Sequence, residues 1–136
     1  NATVPGGIRV LPLGEKGTDA FLDEGVPGSR TFVAKPSKLY PFITEPTKIA
    51  AFDAYINSGS AVSDEDAYKL VKTLHDNWKE LQKDYAPLRG VQADEIAPAT
   101  NPHPYADGAI KYYKEVGLWK AENDARQAKV MAIVNK

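Results

Sequence analysis

Between Ser63 and Lys83 the apolar residues Ala67, Leu70, Val71, Leu74, Trp78 and Leu81 recur three and four positions apart, a spacing that a strand of period two cannot use. Ser63 stands where its hydroxyl can accept from the free amides of a first helical turn. Asp64, Glu65 and Asp66 follow it and suit the positive end of the helix dipole. The pattern predicts one amphipathic helix from Asp64 to Lys83. Its apolar stripe must be covered by other parts of the chain.

What precedes that helix reads as strand and turn. Ile8–Leu13 is a strand segment that Pro12 restricts to a sheet edge or a strand end. Asp19–Glu24 reads as one or two helical turns closed by Gly25, and Thr31–Ala34 as a second strand. From Lys35 to Thr47, prolines at 36, 41 and 46 stiffen an extended connection, because each locks φ and biases its predecessor away from helix. Ile49–Ile56 is mostly apolar and short enough for a buried strand, with a helix left open by periodicity alone, and Asn57–Ser60 marks a turn after it.

Helices dominate the remainder. Ala93–Ala97 suits a short helix. Pro104–Trp119 reads as a turn, then a helix from Asp107 to Val116, then a stop at Gly117. A last helix is expected from Trp119 to Val134, with Ala121, Ala125, Ala128 and Met131 on one face that permits close backbone approach to a neighbour. Strands first and helices last give an α/β or α+β class for a single domain at most.

Composition narrows the chemistry. Apolar residues make up 43% and charged residues 26% of 136 residues, an ordinary globular balance, and the net charge of −1 carries no electrostatic case for nucleic acid. No run approaches the roughly eighteen apolar residues of a membrane span. With no cysteine and two histidines, thiolate metal sites and cysteine nucleophiles are excluded and no transition-metal site is expected. His75, beside the apolar stripe, reads as a satisfied boundary histidine, and His103 lies between two prolines. The cluster Asp64-Glu65-Asp66 fits dipole compensation better than a calcium site. No phosphate loop, dinucleotide fingerprint or nucleophile elbow occurs, and the serines occupy turns and caps, so no enzyme and no cofactor are expected.

The Pro104–Trp119 stretch resembles the closing motif of the TAXI-family solute receptors, the extracytoplasmic binding proteins of one class of TRAP transporters. Family members show Pro-x-His-Pro-Gly-Ala followed by a Tyr-Tyr-Lys-Glu-x-Gly run. Here Pro104, Gly108, Ala109, Tyr112, Tyr113, Lys114, Glu115 and Gly117 match without a gap. Ala106 stands in place of the motif His and Asp107 in place of its Pro, while His103 is three residues too early. A second likeness covers Ile43–Thr47, the apolar run to Ile56 and the tyrosine helix around Tyr68–Leu74. The resemblance extends from about Ile8 to Trp119 and corresponds to the C-terminal half of such receptors. Because the sequence opens at Asn1 without a Met or a signal peptide, it is expected to be a processed product or a piece of a longer chain.

The resemblance implies a two-lobed periplasmic-binding-protein architecture of type II with a ligand in the cleft. Residues 1–35 would end the second lobe, 36–60 would form the inter-lobe crossing, and 61–136 would be helices packing on the first lobe. It implies a periplasmic receptor that captures a small organic anion, an amino acid or dicarboxylate, for TRAP membrane subunits. Ligand contact is then expected in the crossing, where Tyr40, Thr44 and Thr47 place hydroxyls on a proline-stiffened backbone. The alternative is a shortened, receptor-like accessory subunit of a larger complex, with another protein covering the face of the missing lobe and with Tyr40-Pro41-Phe42 exposed.

Overall fold

Thr18 opens the first element of the computed structural model, which describes residues 7–38 and 40–135. Its hydroxyl accepts from the Phe21 amide at 3.2 Å and starts helix α1, Asp19–Gly25. Strands β1, Ser29–Ala34, and β2, Thr47–Phe52, then pair antiparallel, with Phe32 opposite Ile49 and Ser29 opposite Phe52. Arg30 grips Asp53 through Nη2 at 2.8 Å and Nε at 3.3 Å, tying β1 to the residue that follows β2. The Asp19 carboxylate accepts both the amide and the hydroxyl of Thr31 at 2.6 Å, which fastens α1 to β1. These two bonds hold the Asp19 carboxyl below its ordinary range.

The elements that follow are all helical: α2 Asp64–Asp76, α3 Trp78–Asp84, 3-10 turns at Ala86–Gly90 and Ala93–Glu95, α4 Asp107–Glu115 and α5 Ala121–Val134. The molecule is thus mixed α/β, with a two-stranded sheet and five α-helices among the described residues. The chain divides into two units, Asn1–Ala54 and Tyr55–Lys136. The division falls inside the 36–60 segment expected to cross between lobes.

Several sequence expectations are corrected. Ile8–Leu13 forms no strand: Pro12 has no amide to offer, and among the described residues the segment makes one main-chain bond, Leu13 N–H to the Lys48 carbonyl at 2.8 Å. The Ile49–Ile56 run is a strand only to Phe52, and it begins two residues early, at Thr47. The single helix expected to Lys83 is broken at Asn77, whose ψ of 13° leaves the helical range and whose side-chain amide donates to the Thr73 carbonyl at 2.8 Å. That break lets Trp78 and Gln82 of α3 both donate to the Val91 carbonyl, at 2.9 and 2.8 Å, and so clasp the loop that follows. Ala93–Glu95 is a 3-10 turn rather than a short α-helix. The last helix starts at Ala121, because Leu118 and Trp119 are held as a C-terminal wrap on the Tyr113 carbonyl at 2.8 and 3.1 Å.

The small-residue face of α5 is also not its packed face. Ala121, Ala125, Ala128 and Met131 are exposed, and the helix is seated by Asn123 and Val130. The reason is polar. Asn123 donates to the Ala97 carbonyl at 2.9 Å, Arg126 to the Asn101 carbonyl at 2.7 Å, and Gln127 both accepts from the Tyr105 amide and donates to the Tyr105 carbonyl. One face of α5 thereby satisfies the irregular backbone between residues 97 and 105, which no ladder serves.

Candidate functional site

The seam between α2 and α4 is the most densely organised part of the helical unit. On α4, Ala109, Tyr112 and Tyr113 fall three and four residues apart and turn inward, packed by Tyr68 and Val71 of α2 and by Ile96, Tyr105 and Trp119. Tyr112 is 2% exposed. The tyrosines meet edge to face: Tyr68 on Tyr112 with centroids 5.4 Å apart, and Tyr105 on Tyr113 at 5.8 Å.

Gly108 sets how closely the two helices approach. A Cβ built there would lie 1.8 Å from the Asp64 carbonyl oxygen, so a residue without a side chain is required at this crossing. Asp64 in turn accepts from the Gly108 amide at 3.3 Å and caps α4 from the neighbouring helix, because Ala106 at the N-cap position has no side-chain acceptor. The start of α4 is therefore capped by a side chain of α2. At the far end Gly117 adopts φ of +76° and terminates α4.

Hydroxyls and charges rim the seam. His75 Nδ1 and the Tyr112 hydroxyl share a hydrogen bond at 2.8 Å, which gives the boundary histidine its partner. Asp76 lies 3.5 Å beyond that hydroxyl and is paired with Lys72 at 2.8 Å. The Tyr68 hydroxyl donates to Glu115 at 2.8 Å. Burial pushes the Tyr113 phenol up to about 12 and raises Tyr112 as well, while Tyr68 is raised chiefly by its bond to Glu115. Lysine 72 holds the Asp76 carboxyl low through its hydrogen bond. All three phenols stay protonated at neutral pH, so they act as hydrogen-bonding groups and not as bases. At the Asp64–Gly108 end of the seam an open groove of about 480 Å³ runs along the first turns of α2 and α4, with Tyr68, Lys69, Asp107 and Lys111 also on its walls. Among the described residues no group of His, Asp and Glu is arranged to hold a metal ion, and no helix is long and apolar enough to cross a membrane.

The crossing-segment residues are not gathered into such a cluster. Tyr40 is 55% exposed and edge to face with Phe42 at 6.0 Å. Thr44 is exposed in the loop before β2, and Thr47 opens β2 with its hydroxyl donating to the Glu45 carbonyl at 2.9 Å. The remaining motif residues sit in the helical unit. Lys114 lies over the Trp119 ring at 6.0 Å, Glu115 receives Tyr68, and Pro104 is half-buried ahead of α4.

The model of the NMT1-like family matches residues 6–117. The chain belongs to the NMT1-like family. This is a periplasmic-binding-protein-like family, generally non-enzymatic, whose members bind small molecules. Neither a curated protein nor a solved structure matches the chain. In this NMT1-like protein the matched span covers the sheet, α2 through α4 and the seam between them. Sequence reasoning missed the polar clamp of Asn123, Arg126 and Gln127, which lies beyond the match. Polar residues three and four apart on a helix read as a solvated face, and only the position of the 97–105 backbone distinguishes the two.

Proposed function

We propose that this NMT1-like chain is an extracytoplasmic solute-binding receptor of the TAXI kind, or its C-terminal half, capturing a small organic anion in the periplasm for TRAP membrane subunits. One observation carries the reading: the family match over residues 6–117 takes in both the Pro104–Gly117 motif and the Tyr68 helix. Support comes also from the way those two segments interlock at Gly108 and Asp64. In this reading residues 1–35 end one lobe, 36–60 cross, and 61–136 pack on the other. Ligand closure would select the closed state through contacts to both lobes.

Titration calorimetry with a panel of amino acids and dicarboxylates tests it. Saturable binding of one class, weakened in Thr47→Ala without loss of stability, is the expected result. No heat with any member of the panel, from folded protein, refutes the receptor reading. Affinity unchanged by Thr47→Ala removes that residue from the site.

A second reading, an accessory subunit of a larger assembly, is favoured by one observation. The strand unit leaves Phe21, Phe32, Val33 and Phe52 exposed and buries few apolar side chains. Native mass spectrometry of material isolated from its source separates the two. A longer chain or a companion carrying the other lobe supports a receptor, and unrelated subunits holding this chain support the accessory role.

A further inference from the structure

The β1–β2 ribbon has two outer edges, and they are treated differently. The Thr31 amide turns to Asp19 and the Ser29 amide to the Val26 carbonyl, so Ser29, Thr31 and Val33 point their main-chain groups away from the ladder. The register then makes Phe52, Ala50 and Lys48 the outward-facing residues of β2. On β1 the outer amides at Ser29 and Thr31 are occupied by α1 and the loop after it. On β2 the Lys48 carbonyl accepts from Leu13, while among the described residues no main-chain partner faces Ala50 or Phe52.

The Leu13–Lys48 bond is where a third strand would begin. A parallel continuation runs off the start of β2 toward Pro46. An antiparallel one runs along the open row, setting Leu11 opposite Ala50 and Arg9 opposite Phe52. In that register the amides of Leu13, Leu11 and Arg9 face β2, and the nitrogen of Pro12 faces outward, where a missing N–H costs nothing. Arg9 comes to lie across from the Phe52 ring, and Val10 across from Ala51. Leu11 and Phe52, 72% and 81% exposed, are the side chains such pairing covers.

We propose that Ile8–Leu13 is a strap that closes on the outer edge of β2 as a third antiparallel strand, in the order strap–β2–β1. Closure gives a ribbon that is marginal with two strands the third it needs, and it shields an edge that otherwise templates association between chains.

Val10 and Ala51 form a non-hydrogen-bonded pair in this register, with Cα atoms about 4.5 Å apart, within the range of about 4.4–6.8 Å that a disulfide spans. The chain has no cysteine, so an introduced pair reports alone. In the full chain, Val10→Cys with Ala51→Cys is expected to oxidise to an intramolecular crosslink roughly tenfold faster than Val10→Cys with Ala50→Cys, whose side chains lie on opposite faces. Equal rates, no crosslink, or a crosslinked dimer at low protein concentration each overturns the strap. Hydrogen exchange without cysteines gives a second measure. Leu11→Pro removes the amide aimed at Ala50 and is expected to lower protection of the Ala50 and Phe52 amides by roughly tenfold. Protection unchanged by Leu11→Pro overturns the proposal as well.

Discussion

Replacing Gly108 by Ala tests the closest approach in the molecule. The added Cβ would start 1.8 Å from the Asp64 carbonyl oxygen and 2.7 Å from its carbonyl carbon, both backbone atoms that cannot swing aside. Ordinary contact begins at 3.4 Å, so α4 must retreat from α2 by about 1.6 Å. Overpacking of that kind costs about 1–3 kcal/mol. The retreat also breaks the 3.3 Å bond from the Gly108 amide to Asp64, worth about 1 kcal/mol more. Alanine returns at most about 1 kcal/mol through its better helix propensity, and less so near a helix start. The net loss is about 1–4 kcal/mol, centred near about 2.5 kcal/mol, and at about 4–8 °C per kcal/mol for a unit of this size the central figure lowers the Tm by roughly 10–20 °C. Thermal unfolding followed by circular dichroism at 222 nm reads it directly. Gly90→Ala is the control: its Cβ meets nothing within 4 Å and its φ is not positive, so its Tm should stay within a few degrees. If Gly108→Ala melts with wild type, the helices do not cross at this glycine and the account of the seam is wrong.

Alkaline pH should loosen the same seam. Tyr113 has its phenol raised from 10.0 to about 12, so its contribution is fully present below pH 10 and is lost as pH rises toward 12. The rise corresponds to roughly 3 kcal/mol. Urea unfolding at pH 9 and 11.5 should show that decline, and Tyr113→Phe should lessen it; an identical decline in the variant would acquit Tyr113. Tyr112→Phe strips His75 of its 2.8 Å partner and should cost about 1–2 kcal/mol by urea denaturation, with a midpoint matching wild type counting against the bond. Asn123→Ala removes a 2% exposed side chain that accepts from the Lys120 amide and donates to the Ala97 carbonyl, for an expected loss of about 2–3 kcal/mol. Ala125→Ser on the exposed face of α5 should change stability by less than about 0.5 kcal/mol, and a larger loss would mean that face is packed after all.

Local chemistry was readable wherever a residue acts within its own turn. The hydroxyl cap at Ser63, the stop at Gly117 and the apolar stripe begun by Ala67 and Val71 follow from spacing and side-chain type, because a helix brings residues three and four apart together wherever it lies. The break at Asn77 did not show, since asparagine is tolerated in helices and its bond to Thr73 competes only when α3 is needed against Val91. The face of α5 was misread for a related reason. Small residues permit close packing but do not demand it, whereas the carbonyls of Ala97, Asn101 and Tyr105 demand donors, and their positions depend on the path of the loop. The strand expected at Ile8–Leu13 is not formed, because a strand needs an edge to pair with, and among the described residues only the Leu13 amide reaches β2. For the site, the motif was visible as a string from Pro104 to Gly117, yet its physical use of Gly108 was not. A glycine at the second position of a helix reads as a weak helix former; only the Asp64 backbone, 44 positions earlier, makes it the one residue that fits. What the sequence determined by itself is where each helix can start, stop and face. Which faces meet, and how closely, was decided by tertiary contacts between residues far apart in the chain, because packing distance and hydrogen-bond supply belong to pairs of elements and to neither alone.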